Sequence, residues 1–81
     1  MNYAVIFRYS FDDAVIVHVF ATEEEAKRFL RDSYKSELFC DQECGYSTES
    51  ELREDGWYAK ITNHFCDHEN ITEMLIGSIY G

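Results

Sequence analysis

Two runs of β-branched and aromatic residues at the start of the chain constrain its fold more than any other feature. Residues 2–9 and 14–20 each have the composition of a strand, and the polar cluster at 10–13 is typical of a turn. A loop of this length predicts an antiparallel hairpin. The predicted register pairs Tyr3 with Phe20, Val5 with His18 and Phe7 with Ile16. Both faces of this hairpin then carry apolar side chains.

A helix is predicted to follow the hairpin. Thr22 and Glu25 form a capping box, in which the threonine hydroxyl accepts a hydrogen bond from an amide of the first helical turn. Apolar residues then recur at spacings of three and four, which indicates one apolar stripe: Ala26, Phe29, Leu30, Tyr34 and Leu38. We expect a helix over about residues 23–39 and a loop over residues 40–47.

The remaining residues predict three more strands. The segment Glu54-Asp55-Gly56 suits a three-residue hairpin turn between residues 48–53 and a clear strand at 57–62. A short helix starting at Thr48 is the alternative for the first arm of this hairpin. Residues 63–70 are expected to form a polar connection and residues 71–80 a last strand. The prediction is therefore a single α+β domain over residues 1–81, with an antiparallel sheet in β-β-α-β-β-β order and one helix packed on one face.

The two apolar faces of the first hairpin indicate an additional interface. One helix covers only one face of a sheet, and an uncovered apolar patch of this size is unusual on a soluble monomer. We therefore predict a homodimer through the sheet. The residues assigned to its interface are Tyr3, Val5, Phe7, Ile16 and Phe20.

The charge of the chain limits its partners. The formal net charge is −9, from 16 acidic and 7 basic residues. A negative field of this kind repels nucleic acids and anionic membranes but attracts a basic protein surface. The sequence has neither a signal peptide nor an apolar run of ~18 residues. An odd number of cysteines, three, fits reduced thiols in the cytoplasm.

Metal-binding and catalytic chemistry are not predicted. His64, Cys66 and His68 are zinc-ligand types, with Cys40 and Cys44 upstream, but their spacing matches no standard zinc motif. If residues 64–68 were one strand, the α-carbons of the two histidines would lie ~13 Å apart. No phosphate-binding loop, nucleophile elbow or metalloprotease motif occurs. We expect a protein that is not an enzyme and that needs no metal and no cofactor.

The acidity is concentrated after the predicted helix. Residues 39–81 carry nine acidic and two basic residues, a net charge of −7. Six of these acids fall within fifteen positions and form the predicted partner-binding patch: Asp41, Glu43, Glu49, Glu51, Glu54 and Asp55. The expected partner is a basic protein or nucleoprotein complex. The alternative is a solvated acidic surface that serves only solubility in a homodimeric accessory protein.

Three segments carry a resemblance to a known class of proteins: Ala4-Val5-Ile6-Phe7, Thr22-Glu23-Glu24-Glu25-Ala26, and the stretch Asp55-Gly56-Trp57-Tyr58-Ala59-Lys60-Ile61-Thr62. In style and element order the chain resembles small acidic proteins of phages and bacterial mobile elements, among them anti-CRISPR inhibitors. This resemblance implies an inhibitor that blocks a basic, nucleic-acid-binding groove. It transfers no functional residue, because no family motif is matched position by position.

Overall fold

A computed structural model describes residues 2–10, 12–45, 47–65 and 68–79. The described elements, in chain order, are β1 (Asn2–Tyr9), β2 (Asp12–Phe20), α1 (Glu23–Glu43), β3 (Ser47–Leu52), β4 (Tyr58–Phe65) and β5 (His68–Ile79). The five strands form one antiparallel sheet in the order β2-β1-β5-β4-β3. The predicted α+β class and element order are confirmed.

The first hairpin has the predicted register. Tyr3 lies opposite Phe20, Val5 opposite His18, and Phe7 opposite Ile16. On its other side β1 pairs with β5 along its whole length, from Asn2 opposite Ile79 to Tyr9 opposite Thr72. The first and last strands of the chain are therefore central neighbours in the sheet, which the sequence alone does not reveal.

Helix α1 begins as predicted but ends later. The Thr22 hydroxyl accepts a hydrogen bond from the Glu25 backbone N–H at 3.2 Å, which is the expected N-cap contact. At the other end, the Cys44 N–H still donates to the Cys40 carbonyl at 3.0 Å. The prediction of a loop from residue 40 is wrong for residues 40–43, because the helix stops only near Gly45, whose φ is +80°.

The ambiguous segment after the helix is a strand. β3 pairs with β4 in antiparallel register, so the short-helix alternative is wrong. The turn between them ends at Gly56, which has a φ of +76° and donates its N–H to the Arg53 carbonyl. A positive φ is costly for residues with a β-carbon, which explains glycine at this position.

The predicted polar connection at residues 63–70 is wrong. β4 continues to Phe65 and β5 starts at His68, with Phe65 opposite His68 and His64 opposite Glu69. These two strands pair with each other in antiparallel register. The predicted ~13 Å separation of His64 and His68 does not apply, because the two histidines lie on opposite arms.

Helix α1 packs on one face of the sheet. Ala26 and Leu30 of the helix are fully buried and meet side chains that alternate along the three central strands. The buried cluster consists of Val5, Phe7, Ala26, Leu30, Ala59, Ile61, Met74 and Ile76. We call the sheet surface under α1 the helix face and the opposite surface the open face.

The predicted dimer residues lie on the wrong face for an interface. Val5 and Phe7 are buried beneath α1, and Tyr3 and Phe20 pack against the same core. Only Ile16 of this set is well exposed, at 44%. The assignment fails because α1 covers the more aromatic face of the hairpin and leaves the aliphatic face uncovered.

Candidate protein-interaction surface

Strand β3 is an edge strand that carries carboxylates along an exposed surface. It pairs only with β4 among the described strands, and five of its six residues are exposed. Glu49 and Glu51 point to the same side because alternate residues of a strand share a face, ~6.6 Å apart. They lie opposite Thr62 and Lys60 on the open face. Edge strands commonly carry charges, which also discourage pairing between sheets.

Two of the six predicted patch residues have structural roles. The Asp55 carboxylate accepts hydrogen bonds from the Trp57 backbone N–H at 3.0 Å and from Arg53 Nη2 at 2.6 Å. The bond from the Trp57 N–H and the charge of Arg53 lower the pKa of Asp55. Asp55 therefore fixes the β3–β4 turn, and its carboxylate is paired with Arg53.

Asp41 is the second structural carboxylate. Its Oδ2 accepts a hydrogen bond from Nδ2 of Asn63 at 2.9 Å, which joins the end of α1 to β4. The Oδ1 atom of Asn63 is buried and has no hydrogen-bond partner among the described residues. One helical turn earlier, burial and the negative charge of Asp41 raise the pKa of Glu37. Asp41 is thus directed into the fold.

We expect substitutions at Asp41 and Glu43 to have different effects on stability. Asp41→Ala removes a half-buried bond to a charged group and leaves the Asn63 amide unsatisfied, which should cost about 1–2 kcal/mol. Glu43→Ala, two residues later on an exposed position, should change stability by less than about 0.5 kcal/mol. Urea unfolding of both variants checks this. Equal effects would show that the bond between Asp41 and Asn63 contributes nothing.

The other predicted patch residues form no ion pair with a lysine or arginine in the part of the chain that the structure describes. Among the described residues, no lysine or arginine lies within 4 Å of the carboxylates of Glu43, Glu49, Glu51 or Glu54. Glu49 is 3.8 Å from the Nε2 atom of His64, which is a charged contact only if the histidine is protonated. We call Glu49, Glu51 and Glu54, along β3 and its turn, the acidic strip.

Glu69 is a further acidic residue near this surface that the sequence reasoning missed. It lies opposite His64 in the β4–β5 hairpin, with 4.0 Å between its Oε2 atom and Nδ1 of His64. The sequence gives no turn signal after Phe65, and only the pairing of β4 with β5 places Glu69 beside the strand that pairs with β3. Because residues 63–70 were predicted to form a polar connection, the position of Glu69 opposite His64 was not predicted.

A row of alternating charges crosses the open face next to the acidic strip. Successive strands place Glu51, Lys60, Glu73 and Arg8 opposite one another in register. The Tyr58 hydroxyl donates to Glu73 Oε2 at 2.8 Å, and burial together with this bond raises the pKa of Tyr58 to about 12. Along the strands, the row lies between Glu49 and Glu69 on one side and Ile6, Leu75 and Val17 on the other, and Val15 continues the row on β2. We call the apolar side of the open face, with Val15, Val17 and Val19 of β2, its aliphatic end.

The structure shows no metal-binding cluster within the residues it describes. No group of three or more histidine, cysteine, aspartate or glutamate residues is arranged around a common point in that part of the chain. Cys66, which belongs to the zinc alternative, lies outside the described residues. Cys40 and Cys44 are exposed free thiols at the end of α1.

Two further observations concern membrane-spanning helices and similarity to known proteins. The one helix of the described residues is not apolar enough to cross a membrane. Comparisons with protein-family models, with curated proteins and with solved structures found no match to the chain.

Proposed function

We propose that this protein is an inhibitor that binds a basic partner and blocks its nucleic-acid-binding groove, as anti-CRISPR proteins do. The acidic strip carries the proposal. Its three carboxylates follow an exposed edge strand and its turn, and none has a lysine or arginine within 4 Å among the described residues. Glu51 lies opposite Lys60, which offsets part of its charge, so Glu49 and Glu54 offer the most charge to an external cation.

The geometry of the strip supports mimicry of a nucleic-acid backbone. Glu49 and Glu51 present negative charges ~6.6 Å apart on a fixed scaffold, a separation comparable to that of neighbouring phosphates. Lysines and arginines that bind phosphates would meet a similar array here. Because β3 is held by β4 and the anchored turn at Asp55, little order must be gained on binding.

A competition experiment tests the function. The tagged full-length chain is used to capture proteins from cells that contain CRISPR effectors and other basic nucleic-acid-binding proteins. We expect DNA or RNA to displace the chain from the captured partner, and we expect binding to weaken as salt rises. A partner that binds the chain and nucleic acid at the same time would contradict the proposal.

A homodimeric accessory protein is the second candidate function. The observation that favours it is the aliphatic end of the open face, where Val15, Val17 and Val19 are each more than half exposed. In such a protein the acidity would serve only solubility. Charge reversal in the acidic strip would then leave function intact, and substitutions in the aliphatic end would damage it.

A further inference from the structure

No helix or strand of the described residues covers the aliphatic end of the open face. Val15, Val17 and Val19 of β2 are 56%, 51% and 57% exposed, and Ile79 of β5 is 38% exposed. Ile6 and Leu75, both half-buried, connect them across the central strands. Valine side chains exposed to this degree in a continuous patch are unusual on a monomer.

The size of this patch is near what a small protein interface requires. Four strands at ~4.8 Å and three rows of alternate residues at ~6.6 Å give a patch of roughly 400 Å² per copy. Two such patches with the charged row beside them approach the ~1,000 Å² that specific interfaces bury in total. A second sheet fits this flat area, because sheets stack face to face ~10 Å apart.

The charged row favours a second copy of this chain as the occupant. Its signs alternate, from Glu51 to Lys60 to Glu73 to Arg8. Within this row, the adjacent pair Arg8 and Glu73 is complementary to a copy of itself rotated about an axis between β1 and β5, and a two-fold axis produces such a rotation. A foreign partner would have to supply the matching pair of charges independently.

We infer that the protein forms a homodimer through the open face, with a two-fold axis parallel to the strands between β1 and β5. This axis places β1 over β5 of the second copy. Arg8 then lies over Glu73 of the second copy and Ile6 over its Leu75. Val17 of β2 lies over Tyr58 of the second copy. Apolar side chains meet in the row of Ile6. In the charged row Arg8 meets Glu73 of the second copy, and the side chain of Lys60 lies over Val15 of the second copy.

This dimer does not depend on the proposed inhibitory function. β3 lies outside the overlap of the two sheets, so each copy keeps its acidic strip exposed at an outer edge of the dimer. Loss of dimerisation therefore leaves the strip intact, and reversal of Glu49 leaves the two-fold contacts intact. Different experiments would therefore contradict the proposed dimer and the proposed inhibitory function.

Sedimentation of the full chain tests the choice of face. We expect the 9.5 kDa chain to associate to twice that mass over ~1–100 µM, since the interface is small. Val17→Lys should weaken dimerisation at least tenfold. Ile16→Lys is the matched control, because this neighbour on the same strand points to the helix face and is also exposed. It should leave the dimer intact.

A mixing experiment tests the two-fold arrangement. Arg8→Glu alone and Glu73→Arg alone each place like charges across the interface and should abolish dimerisation. Mixed together, the two variants should form a heterodimer. The first variant has negative side chains at positions 8 and 73, the second has positive side chains at both, and the two pairs then face each other. Native mass spectrometry detects this species. Within one chain each variant has like charges side by side, so intramolecular pairing cannot explain the recovery.

Three results would overturn the inference. The first is a monomer at every concentration up to ~500 µM. The second is a dimer that Ile16→Lys disrupts and Val17→Lys does not. The third is a mixture of the two charge variants that gives no heterodimer while circular dichroism shows both to be folded. Should Val17→Lys fail to fold, Val19→Lys on the same face replaces it.

Discussion

Leu30→Ala should lower the free energy of unfolding by about 2–5 kcal/mol. Leu30 is a fully buried residue of α1, and it packs into the cluster formed by β1, β4 and β5. Alanine would lose the transfer energy of the side chain and leave a cavity. The free energy of unfolding of a small domain is only about 5–15 kcal/mol in total, so this one substitution removes a large share of its stability.

Phe39→Ala provides the control for this prediction. Phe39 is a larger apolar residue on the same helix, but it is 63% exposed, so its truncation should cost less than about 0.5 kcal/mol. Urea unfolding of both variants at one fixed protein concentration is the measurement, since association would shift apparent stability. Equal losses would mean that α1 packs on the sheet through a different side.

Local sequence signals predicted the parts of the fold that local interactions determine. The first hairpin has the predicted register because two strands of similar length follow each other closely in the sequence. The predicted turn at residues 10–13 is wrong for residues 12 and 13, since β2 begins at Asp12 and this residue pairs with Tyr9. Helix α1 starts where Thr22 caps it, since that contact involves residues only three apart. Its end was misplaced because Cys40–Glu43 contains no helix breaker, and Gly45 alone marks the boundary.

Nonlocal pairing could not be predicted in the same way. The position of β5 between β1 and β4 joins residues more than sixty positions apart, such as Tyr9 and Thr72. The β4–β5 hairpin was missed because His64 to Asn70 is polar and has no glycine or asparagine-glycine turn signal. The extent of these two strands is determined by their hydrogen bonds to neighbouring strands and not by their own amino-acid composition.

The acidic patch shows the same limit at the level of the surface. Six acids close in sequence were predicted to act together, but strand alternation and two hydrogen bonds divide them. Asp41 is bound to Asn63 and Asp55 to the turn, while Glu49 and Glu51 project from the open face. Sequence proximity identified the acidic region. Only the register and the contacts separate the carboxylates that are free to bind from those that stabilise the fold.

Glu49→Lys with Glu51→Lys should weaken partner binding at least 100-fold, which corresponds to about 2.7 kcal/mol. Each substitution replaces attraction to a basic groove with repulsion, and coupling between close charges across an interface is about 1.5–7 kcal/mol per pair. The fold should survive, because both side chains are exposed and accept no described hydrogen bond. Asp55 is kept unchanged, since its carboxylate holds the turn.

A matched variant distinguishes the strip from the overall charge of the protein. Glu24→Lys with Asp32→Lys makes the same change in net charge at two exposed positions of α1. Binding to the captured partner is titrated at low and high salt for wild type and for both variants. If the strip makes the contact, the helix variant retains most of its affinity, because exposed charges farther apart than ~10 Å are screened at 0.1 M salt. Equal losses in the two variants would instead assign the attraction to net charge, and unchanged affinity after reversal in the strip would remove the strip from the interface.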